Sequence, residues 1–432
     1  MASSFDHDAV QRLLGFIGAS PTPYHAATEV VRRLRAEGFQ EWPRGSRWNR
    51  SELRRGLVRV GDGAVLAVDL RGADVRAGVR ILAAHTDSPA LRVKEHALAW
   101  RKGYLALPTE LYGGPILSTW LDRDLGIAGR VVAADGTVRL FSLDSRAVIP
   151  NLAIHLNRKV NEGFSYNAQD HMVGFLAAEP GAPDASATED FRRLVATSAG
   201  MHASEIAEIE AWLYDPSPGE LLGSDRSLYS SSRIDNLAGC FTCLEAFLVA
   251  GGDAPRVLLL YNHEEIGSRT GEGAEAATVE SVLRRLVMAA DGDEEDVAVA
   301  MERSVVVSND AAHALHPAYA DKYDPDYAPV LGGGPVLKVN AMYRYATTAV
   351  SGAAFFRACE RAGVAMQRLA NRSDMRGGST VGPITWARTG MQTVDVGLPL
   401  LAMHSIRETG GSGDVSMMIA ALRAYLEAET SR

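Results

Sequence analysis

The segment RVLLLYNHEEIGS, residues 256–268, joins an apolar run directly to a histidine and two adjacent glutamates. A short apolar run of this kind is typical of a buried strand in an α/β sheet. Ionised side chains are costly to bury without partners, so glutamates at the end of such a strand either lie on a solvated turn or meet a cation. The other strand-like segments of the chain decide between these two interpretations.

Two more strand-like runs end in the same kind of residue. VRILAAHTDSP, residues 79–89, ends in His85 and Asp87, and RSVVVSNDAAHA, residues 303–314, contains Asp310. Because the carboxyl ends of parallel strands share one edge of an open α/β sheet, where ligands bind, these groups are expected to meet in one crevice with Glu264 and Glu265. An isolated Glu-Glu pair is usually solvated surface, and a lone histidine is usually a hydrogen-bonded core residue. The repetition at three strand ends favours a cation site.

Two later stretches fit the same edge. SSRIDNLAGC, residues 231–240, places Asp235 before a helix, and LAMHSIRETG, residues 401–410, places His404 in a loop. On its own, Asp235 reads equally well as an ordinary helix N-cap. Together, two imidazoles and several carboxylates form a mixed N/O set suited to Zn²⁺ or a similar divalent ion. A carboxylate can also bridge two ions about 3.5–4 Å apart, and Asp235 is the candidate bridge.

The order of the segments predicts an α/β fold, with a sheet flanked by helices and an inserted, mostly β domain. From residue 236 onward, helices at 236–250, 276–290, 346–362 and 414–428 alternate with strands at 256–262, 304–309 and 391–396. GRVVAADGTVRLFSL, residues 129–143, indicates a hairpin around Asp135-Gly136. We therefore predict a discontinuous main domain, 1–92 and 228–432, and an inserted β-rich domain, 93–227. The acidic run DGDEEDVAVAMER, residues 291–303, is interpreted as a solvated loop.

Composition excludes several classes of protein. A formal net charge of −9 over 432 residues argues against nucleic-acid binding. No apolar stretch reaches the roughly 18 residues of a membrane span, and no secretory leader is visible, so a cytoplasmic location without a membrane partner is expected. Three cysteines cannot build a disulfide framework, and Cys240 and Cys243 read as buried thiols of a helix. HEEIG lacks the second histidine of HExxH, and neither a GxSxG elbow nor a P-loop occurs.

Six blocks, in the same order along the chain, resemble the aspartyl aminopeptidases of the M18 metallopeptidase family. They extend from the first strand end to the last loop: AAHTDSPALRVK (83–94), SSRIDNLAGC (231–240), YNHEEIGS (261–268), SNDAAHALHP (308–317), GGGPVLKVNAMYRYAT (332–347) and LAMHSIRE (401–408). Six ordered blocks make the resemblance specific. It implies that the sheet is metallo-aminopeptidase-like, that 1–92 and 228–432 form the catalytic metallopeptidase domain, and that the inserted β-rich domain, 93–227, serves dimerisation and substrate access.

The resemblance implies two divalent metal ions per subunit, with Zn²⁺ expected and Co²⁺ or Mn²⁺ as alternatives that N/O ligands do not distinguish. It assigns the metal ligands by position, namely His85, Asp235 and Asp310 to one ion and Asp235, Glu265 and His404 to the other. Glu264 corresponds to the general base, and Asp87 to the carboxylate that orients His85. In this interpretation one glutamate of the opening segment binds metal and its neighbour moves a proton.

The resemblance also implies hydrolysis of peptides with N-terminal Asp or Glu through a metal-bound hydroxide. Lys338 corresponds to the cation for the acidic side chain and Tyr345 to a substrate-side residue, although Lys338 also reads as a strand lysine with its ammonium in solvent. His155 corresponds to a histidine that reaches a neighbouring subunit's active site in a homo-oligomer, a tetrahedral dodecamer by resemblance.

The alternative functions are those of a neutral-residue aminopeptidase, an amide deacylase or an inactive metal-binding scaffold. The presence of Glu264, which is not a metal ligand, argues against the inactive scaffold.

Overall fold

The computed structural model describes residues 7–49, 53–181 and 187–428. Its α-helices are α1 (His7–Gly18), α2 (Pro23–Ala36), α3 (Ala168–His171), α4 (Ala187–Ala199), α5 (Ile234–Val249), α6 (Thr278–Ala289), α7 (Glu294–Arg303), α8 (Ala349–Ala362), α9 (Val381–Thr389) and α10 (Ser412–Leu426). Its strands are β1 (Gln40–Glu41), β2 (Arg55–Val60), β3 (Ala64–Asp69), β4 (Arg80–His85), β5 (Ala90–Val93), β6 (Ala99–Arg101), β7 (Tyr104–Tyr112), β8 (Leu125–Ala133), β9 (Val138–Ala147), β10 (Val173–Ala178), β11 (Ile206–Tyr214), β12 (Glu220–Leu222), β13 (Leu228–Ser231), β14 (Arg256–Tyr261), β15 (Val305–Asn309), β16 (Ala312–His313), β17 (Val336–Lys338), β18 (Gln367–Leu369), β19 (Gln392–Gly397), β20 (Pro399–Leu401) and β21 (Glu408–Gly411).

A nine-stranded sheet in the order β1-β2-β3-β14-β4-β15-β19-β17-β18 forms the centre of the fold. The strands β14, β4, β15 and β19 run parallel to one another. Their carboxyl ends therefore lie at one edge of the sheet, as predicted from the sequence.

Helices cover both faces of this sheet. Leu258 and Leu260 of β14 pack with α1, α2, α5, α8 and α10 in one hydrophobic core. Val257 and Leu259 point the other way, into a second core formed with α6, α7 and the start of α9. Both faces of the strand are apolar because both are covered, which is why its sequence is a continuous apolar run and not an alternating one. The predicted α/β class is confirmed.

The segment between Ala90 and Tyr214 forms a second sheet of seven strands, in the order β10-β7-β5-β11-β8-β9 with β6 paired to β7. The predicted hairpin is present as β8 and β9, and Gly136 adopts φ +85° in its turn. This sheet packs with α4 in a hydrophobic core of its own. The division of the chain into two domains at residues 93 and 227 stays a prediction.

The acidic run at residues 291–303 corrects one expectation. It forms α7 from Glu294 onward and is not a loop. Asp293 caps the helix by accepting a hydrogen bond from the amide of Asp296, and the Asp296 side chain accepts one from the amide of Asp293. Acidic residues in the first turn also favour the helix, because they face its positive end. Val297 and Ala300 then bury an apolar stripe on the sheet, which a charge count alone does not indicate.

The seven elements predicted from residue 236 onward agree with the observed helices and strands to within a few residues, whereas α9, β16, β17, β18, β20 and β21 lie in stretches without a predicted element. Cys240, Cys243 and Cys359 are free and buried, as expected for helix thiols. The cytoplasmic location stays a prediction.

Within the ranges that the structure describes, no helix combines the length and the apolar character needed to cross a lipid bilayer.

A buried ion pair stabilises the end of the sheet opposite to the candidate metal-ligand side chains. Arg256 of β14 lies across from Asp69 of β3, with 3.2 Å between Nη2 and Oδ2, and the two side chains are 2% and 4% exposed.

Removal of Asp69 in an Asp69→Ala variant leaves the Arg256 charge buried without a carboxylate, a change that typically costs about 3–5 kcal/mol. We expect a clearly lower melting temperature by calorimetry. The exposed pair Arg284–Glu294 provides the control, because Arg284→Ala should leave the melting temperature nearly unchanged; equal shifts in both variants would contradict the expectation.

Candidate metal centre

The three predicted strand ends meet at the carboxyl edge of the central sheet. His85 is the last residue of β4, and Asp310 follows β15 directly. Glu264 and Glu265 lie in a single 3₁₀ turn after β14, and this turn starts at His263 in a left-handed conformation with φ 64°. The tight turn keeps both glutamates at the strand end and does not lead them away along a helix.

A small antiparallel sheet brings Asp235 and His404 to the same edge. β13 pairs with β21, and β21 pairs with β20. Asp235 follows β13 at the start of α5, and His404 lies in the connection between β20 and β21. The pairing of β13 with β21 therefore places two residues that are 169 positions apart in sequence next to each other.

The first group of candidate ligands is His85, Asp235 and Asp310, whose ligand atoms all lie within 4.8 Å of one another. His85 Nε2 is 3.7 Å from Asp235 Oδ1 and 3.7 Å from Asp310 Oδ1. All three residues are buried. The second group is Asp235, Glu265 and His404, with His404 Nε2 at 3.5 Å from Asp235 Oδ2 and 3.6 Å from Glu265 Oε2.

These distances fit ligands around an ion better than direct hydrogen bonds. Two donors that each lie about 2 Å from a tetrahedral Zn²⁺ are about 3.3 Å from each other. Asp235 turns one carboxylate oxygen to each histidine, and its buried Oδ1 accepts no hydrogen bond. An orphaned buried carboxylate oxygen is costly unless a cation meets it. The residues present therefore fit a divalent ion in each group, with Asp235 shared between them.

Asp87 connects the histidine to the glutamate turn. Its Oδ1 is 3.3 Å from His85 Nδ1, so it faces the ring nitrogen that points away from the candidate metal position. The same carboxylate accepts hydrogen bonds from the backbone amides of Glu264 and Glu265, at 3.2 and 3.1 Å, and from the Tyr112 hydroxyl at 2.7 Å. Asp87 thus holds both the imidazole and the turn, which is the arrangement of an orienting partner of a metal ligand.

Glu408 has a position similar to that of Asp87, and the sequence analysis did not identify it. Its carboxylate accepts a hydrogen bond from the Asp235 amide at 3.0 Å and from the His404 amide at 2.8 Å. Burial raises the pKa of Glu408 to about 8, and the charge of Asp235 acts in the same direction. The residue is part of the block LAMHSIRE, four positions after His404, but nothing in its spacing distinguishes it from a solvated loop glutamate.

The electrostatics of the site reflect its concentration of carboxylates. Burial raises the pKa of Glu264 to about 8, and that of Glu265 well above its ordinary value, with the Asp235 charge adding to the effect on Glu265. Burial opposes protonation of His85, but the neighbouring Asp310 and Asp87 outweigh it and raise the pKa of the imidazole. Positive charge from bound ions would relieve the same repulsion.

A cavity of about 420 Å³ opens onto these carboxylates, and Lys338, Tyr345, Ser379 and Thr380 line its other side. Lys338 is 2% exposed, so the interpretation of a strand lysine with its ammonium in solvent is wrong. Its Nζ donates to the Ala311 carbonyl at 2.9 Å, lies 3.8 Å from Asp310 Oδ2, and is 5.3 Å from the centre of the Tyr345 ring. Burial alone would lower the pKa of Lys338, but the negative charge of Asp310, with that of Asp395, outweighs it and raises the value.

His155 lies elsewhere within the single chain. It is exposed in the irregular segment after β9 and belongs to neither ligand group. A contact from His155 to another subunit's site therefore stays a proposal.

The backbone of the predicted insertion, residues 93–227, reaches the candidate metal-ligand side chains. His404 Nδ1 lies 3.1 Å from the Gly114 carbonyl, and the Ile116 amide donates to the His404 carbonyl at 2.9 Å. A Cβ on Gly113 would lie 3.1 Å from the Glu265 Cβ, so the backbone passes close to this ligand. The insertion thus contributes to the position of His404.

An open α/β sheet that gathers imidazoles and carboxylates in two overlapping groups at its carboxyl edge defines the class of metal-dependent hydrolases. Comparison with known sequences narrows the class. The sequence model of the aminopeptidase I zinc metalloproteases (M18) matches residues 16–426. The chain belongs to the M18 family of aminopeptidases.

Relatives and solved structures agree with this assignment. A protein of Stutzerimonas stutzeri named probable M18 family aminopeptidase 2 is 41% identical over 426 residues, which cover 96% of this chain and 97% of that protein. The fold matches the cryo-EM structure of the Ape4 and Nbr1 complex with a TM-score of 0.92 and 32% identity, over 97% of this chain and 85% of that one. It also matches the mApe1 dodecamer of S. cerevisiae with a TM-score of 0.83, over 98% and 97% of the two chains; at 24% identity this likeness concerns the fold alone.

The shared position of Asp235 predicts how metal content responds to substitution. Asp235→Ala removes a ligand from both groups, whereas His404→Ala removes one from the second group only. We expect the first variant to lose metal from both groups and the second to lose about half as much, because an incomplete ligand set binds Zn²⁺ poorly. Elemental analysis of the dialysed proteins measures this. His202→Ala, which changes an exposed histidine of the insertion, should keep the full content; a fully metallated Asp235→Ala protein would exclude the bridging arrangement.

Proposed function

We propose that this M18 aminopeptidase removes Asp or Glu from the N-termini of peptides. In this proposal one divalent ion is bound by His85, Asp235 and Asp310 and a second by Asp235, Glu265 and His404. Zn²⁺ is the ion that the family name supports. The proposal depends on one observation above all, namely a buried lysine in the cavity that the metal-ligand side chains line.

Lys338 is suited to bind a substrate carboxylate. An ammonium group has three N–H donors, and the Ala311 carbonyl and the Asp310 carboxylate account for two directions around Nζ. In this proposal the third donor serves the cavity that Lys338 lines. A charge-assisted hydrogen bond to an ammonium that is only 2% exposed contributes more than the same bond at the surface. Tyr345 lies against the lysine and is 3% exposed, so the pocket wall around Nζ is closed on that side.

One observation favours the alternative of a neutral-residue aminopeptidase. The Asp310 carboxylate lies 3.8 Å from Nζ, and part of the lysine charge is therefore met within the chain. If Lys338 serves only to balance Asp310, the pocket beside it offers no net attraction for an acidic residue. The two functions differ in the substrates they favour and not in the metal ligands, so kinetics on matched substrates separate them.

The chemistry is divided among the residues at the strand ends. Two bound divalent ions would supply Lewis acidity, which lowers the pKa of water and polarises the scissile carbonyl. Glu264 lines the cavity beside the candidate ligands, and its amide is fixed by Asp87. Its carboxylate takes a proton from the attacking water and returns it to the leaving amino group. Asp87 keeps His85 in one orientation and one tautomer during this transfer.

We further propose that residues 93–227 form a domain for self-association and substrate access, with His155 at a neighbouring subunit's site in a homo-oligomer. Around His155 several apolar side chains are exposed in the single chain: Leu152 at 59%, Ile154 at 52%, Leu156 at 75% and Phe164 at 42%. Exposed large apolar side chains in one segment support an interaction surface there, because a soluble chain usually covers them. The dodecamer described for mApe1 is one form that such self-association takes in a protein of the same fold.

The charge of Lys338 predicts substrate selectivity. On p-nitroanilides of Asp, Glu, Leu and Ala, the wild-type protein should show the highest kcat/KM with Asp or Glu. The Lys338→Met variant keeps the volume of the side chain and removes its charge. We expect its kcat/KM to fall about 10- to 100-fold on the acidic substrates, the usual effect of losing a hydrogen bond to a charged group, and to change little on Leu.

Lys322→Met serves as the matched control, because Lys322 is an exposed lysine whose side chain is outside the cavity lining. Metal content is measured in parallel, since Lys338 is close to Asp310. A wild-type preference for Leu would overturn the acidic specificity, and an equal loss on all substrates would make Lys338 a support of Asp310.

Glu264 provides the test of a catalytic role against a metal-binding scaffold. Glu264→Gln removes the proton acceptor and leaves both proposed ligand sets complete. We expect unchanged metal content and a kcat lower by about 100- to 10,000-fold, the range that a general base contributes. Glu275→Gln, an exposed glutamate beyond the same turn, should keep its activity. A wild-type protein that binds metal and hydrolyses none of the four anilides would support the scaffold interpretation instead.

A further inference from the structure

Asp395 is a fully buried carboxylate that the mechanism does not use. It lies near the end of β19, and its exposed fraction is 0%. β19 separates β15, the strand that leads to Asp310, from β17, the strand that carries Lys338. A buried carboxylate between the metal-side strand and the lysine strand needs a structural or functional reason, because its desolvation is costly.

The strand register places Asp395 beside Lys338. β17 and β19 are antiparallel, with Val336 opposite Gly397 and Leu337 opposite Val396. One further step along this register brings Lys338 across from Asp395. Directly opposed residues of an antiparallel pair project from the same face of the sheet. The Asp395 carboxylate and the Lys338 side chain therefore extend from the same face.

The carboxylate also holds two loops of the cavity wall. Asp395 Oδ2 accepts a hydrogen bond from the Ala346 amide at 2.5 Å, which fixes the backbone directly after Tyr345. Asp395 Oδ1 accepts one from the Thr380 hydroxyl at 2.6 Å, and Thr380 lines the cavity. The backbone amide of Asp395 donates to the Thr347 hydroxyl at 3.0 Å, which adds a second connection to the first loop.

The space around the carboxylate is closed by the start of α9. Thr380 caps this helix by accepting a hydrogen bond from the Gly382 amide at 3.3 Å. A Cβ on Gly382 would lie 2.3 Å from Asp395 Oδ2, so only a glycine lets the helix approach the carboxylate this closely. The positive end of the helix therefore faces Asp395 and stabilises its charge.

We propose that Asp395 is the positioning residue of the side-chain pocket, which sets the selectivity for acidic substrates by holding Lys338, the Tyr345 loop and Thr380 in one arrangement. This inference rests on the proposed acidic specificity. Asp395 touches neither the candidate metal ligands nor the scissile bond in this arrangement. Its loss should therefore change which substrate is preferred more than how fast a bound substrate reacts.

The Asp395→Asn variant tests the proposal. Its single side-chain oxygen cannot replace both carboxylate oxygens, which accept hydrogen bonds from the Ala346 amide and the Thr380 hydroxyl, and the negative charge is lost. We measure kcat and KM on the Asp and Leu p-nitroanilides together with metal content and melting temperature. The ratio of kcat/KM for Asp over Leu should fall about tenfold, the lower end of the effect of a lost hydrogen bond to a charged group, because Lys338 remains but is held less well; the change should come mainly from a higher KM for Asp. Metal content and the kcat for Leu should stay close to the wild-type values.

Two substitutions of Thr380 keep the test valid if Asp395→Asn does not fold. Thr380→Val preserves the shape and removes the hydroxyl donor, so it should lower the Asp-over-Leu ratio in the same direction by a smaller factor. Thr380→Ser retains the donor and should restore the wild-type ratio. A ratio that stays unchanged in Asp395→Asn and in Thr380→Val overturns the proposal, as does an equal loss on both substrates accompanied by loss of metal.

The outcomes also separate this inference from the proposed function. A wild-type protein without preference for Asp overturns both. In a second outcome, the wild-type protein prefers Asp, the preference disappears in Lys338→Met, and it persists in the Asp395 and Thr380 variants. This result supports the proposed function and overturns only the role of Asp395.

Discussion

The structure depends on one electrostatic constraint, the burial of several carboxylates at one edge of the central sheet. Four of them face the cavity and two lie behind them: Asp235, Glu264, Glu265, Asp310, Asp87 and Glu408. Such a group repels itself strongly in a medium that screens charge poorly. Two histidines and Lys338 offset part of the repulsion, and the ligand geometry provides for divalent ions to offset the rest.

Buried carboxylates that accept hydrogen bonds from backbone amides position each part of the site. Asp87 accepts the amides of both glutamates in the turn, Glu408 accepts the amides of Asp235 and His404, and Asp395 accepts the amide that follows Tyr345. In each case a buried carboxylate fixes the backbone next to a functional side chain and is itself stabilised by N–H donors. Loops, which are otherwise the variable part of an α/β fold, are thereby held as firmly as the strand ends.

Sequence reasoning works where function follows from local pattern. Apolar runs that end in histidine or carboxylate predicted the strands, their common edge and the groups that meet there, because parallel strands impose that geometry. It fails where the signal lies in tertiary contacts. Glu408 and Asp395 acquire their positions through pairing of distant strands, and α7 owes its helix to capping and an apolar stripe within an acidic run. The burial of Lys338 is likewise a property of the assembled sheet.

The two ligand groups differ in what holds them. His85 and Asp310 end strands at the centre of the sheet and are almost fully buried. The His404 side chain is 31% exposed and lies between strands of the small sheet, with Gly114 of the insertion against its ring. The same segment also contacts the first group, because the Tyr112 hydroxyl donates to Asp87, which faces the His85 ring. Asp235 belongs to both groups and follows β13, so its position depends on the pairing of β13 with β21. A displacement of this small sheet would therefore change the geometry of both groups together.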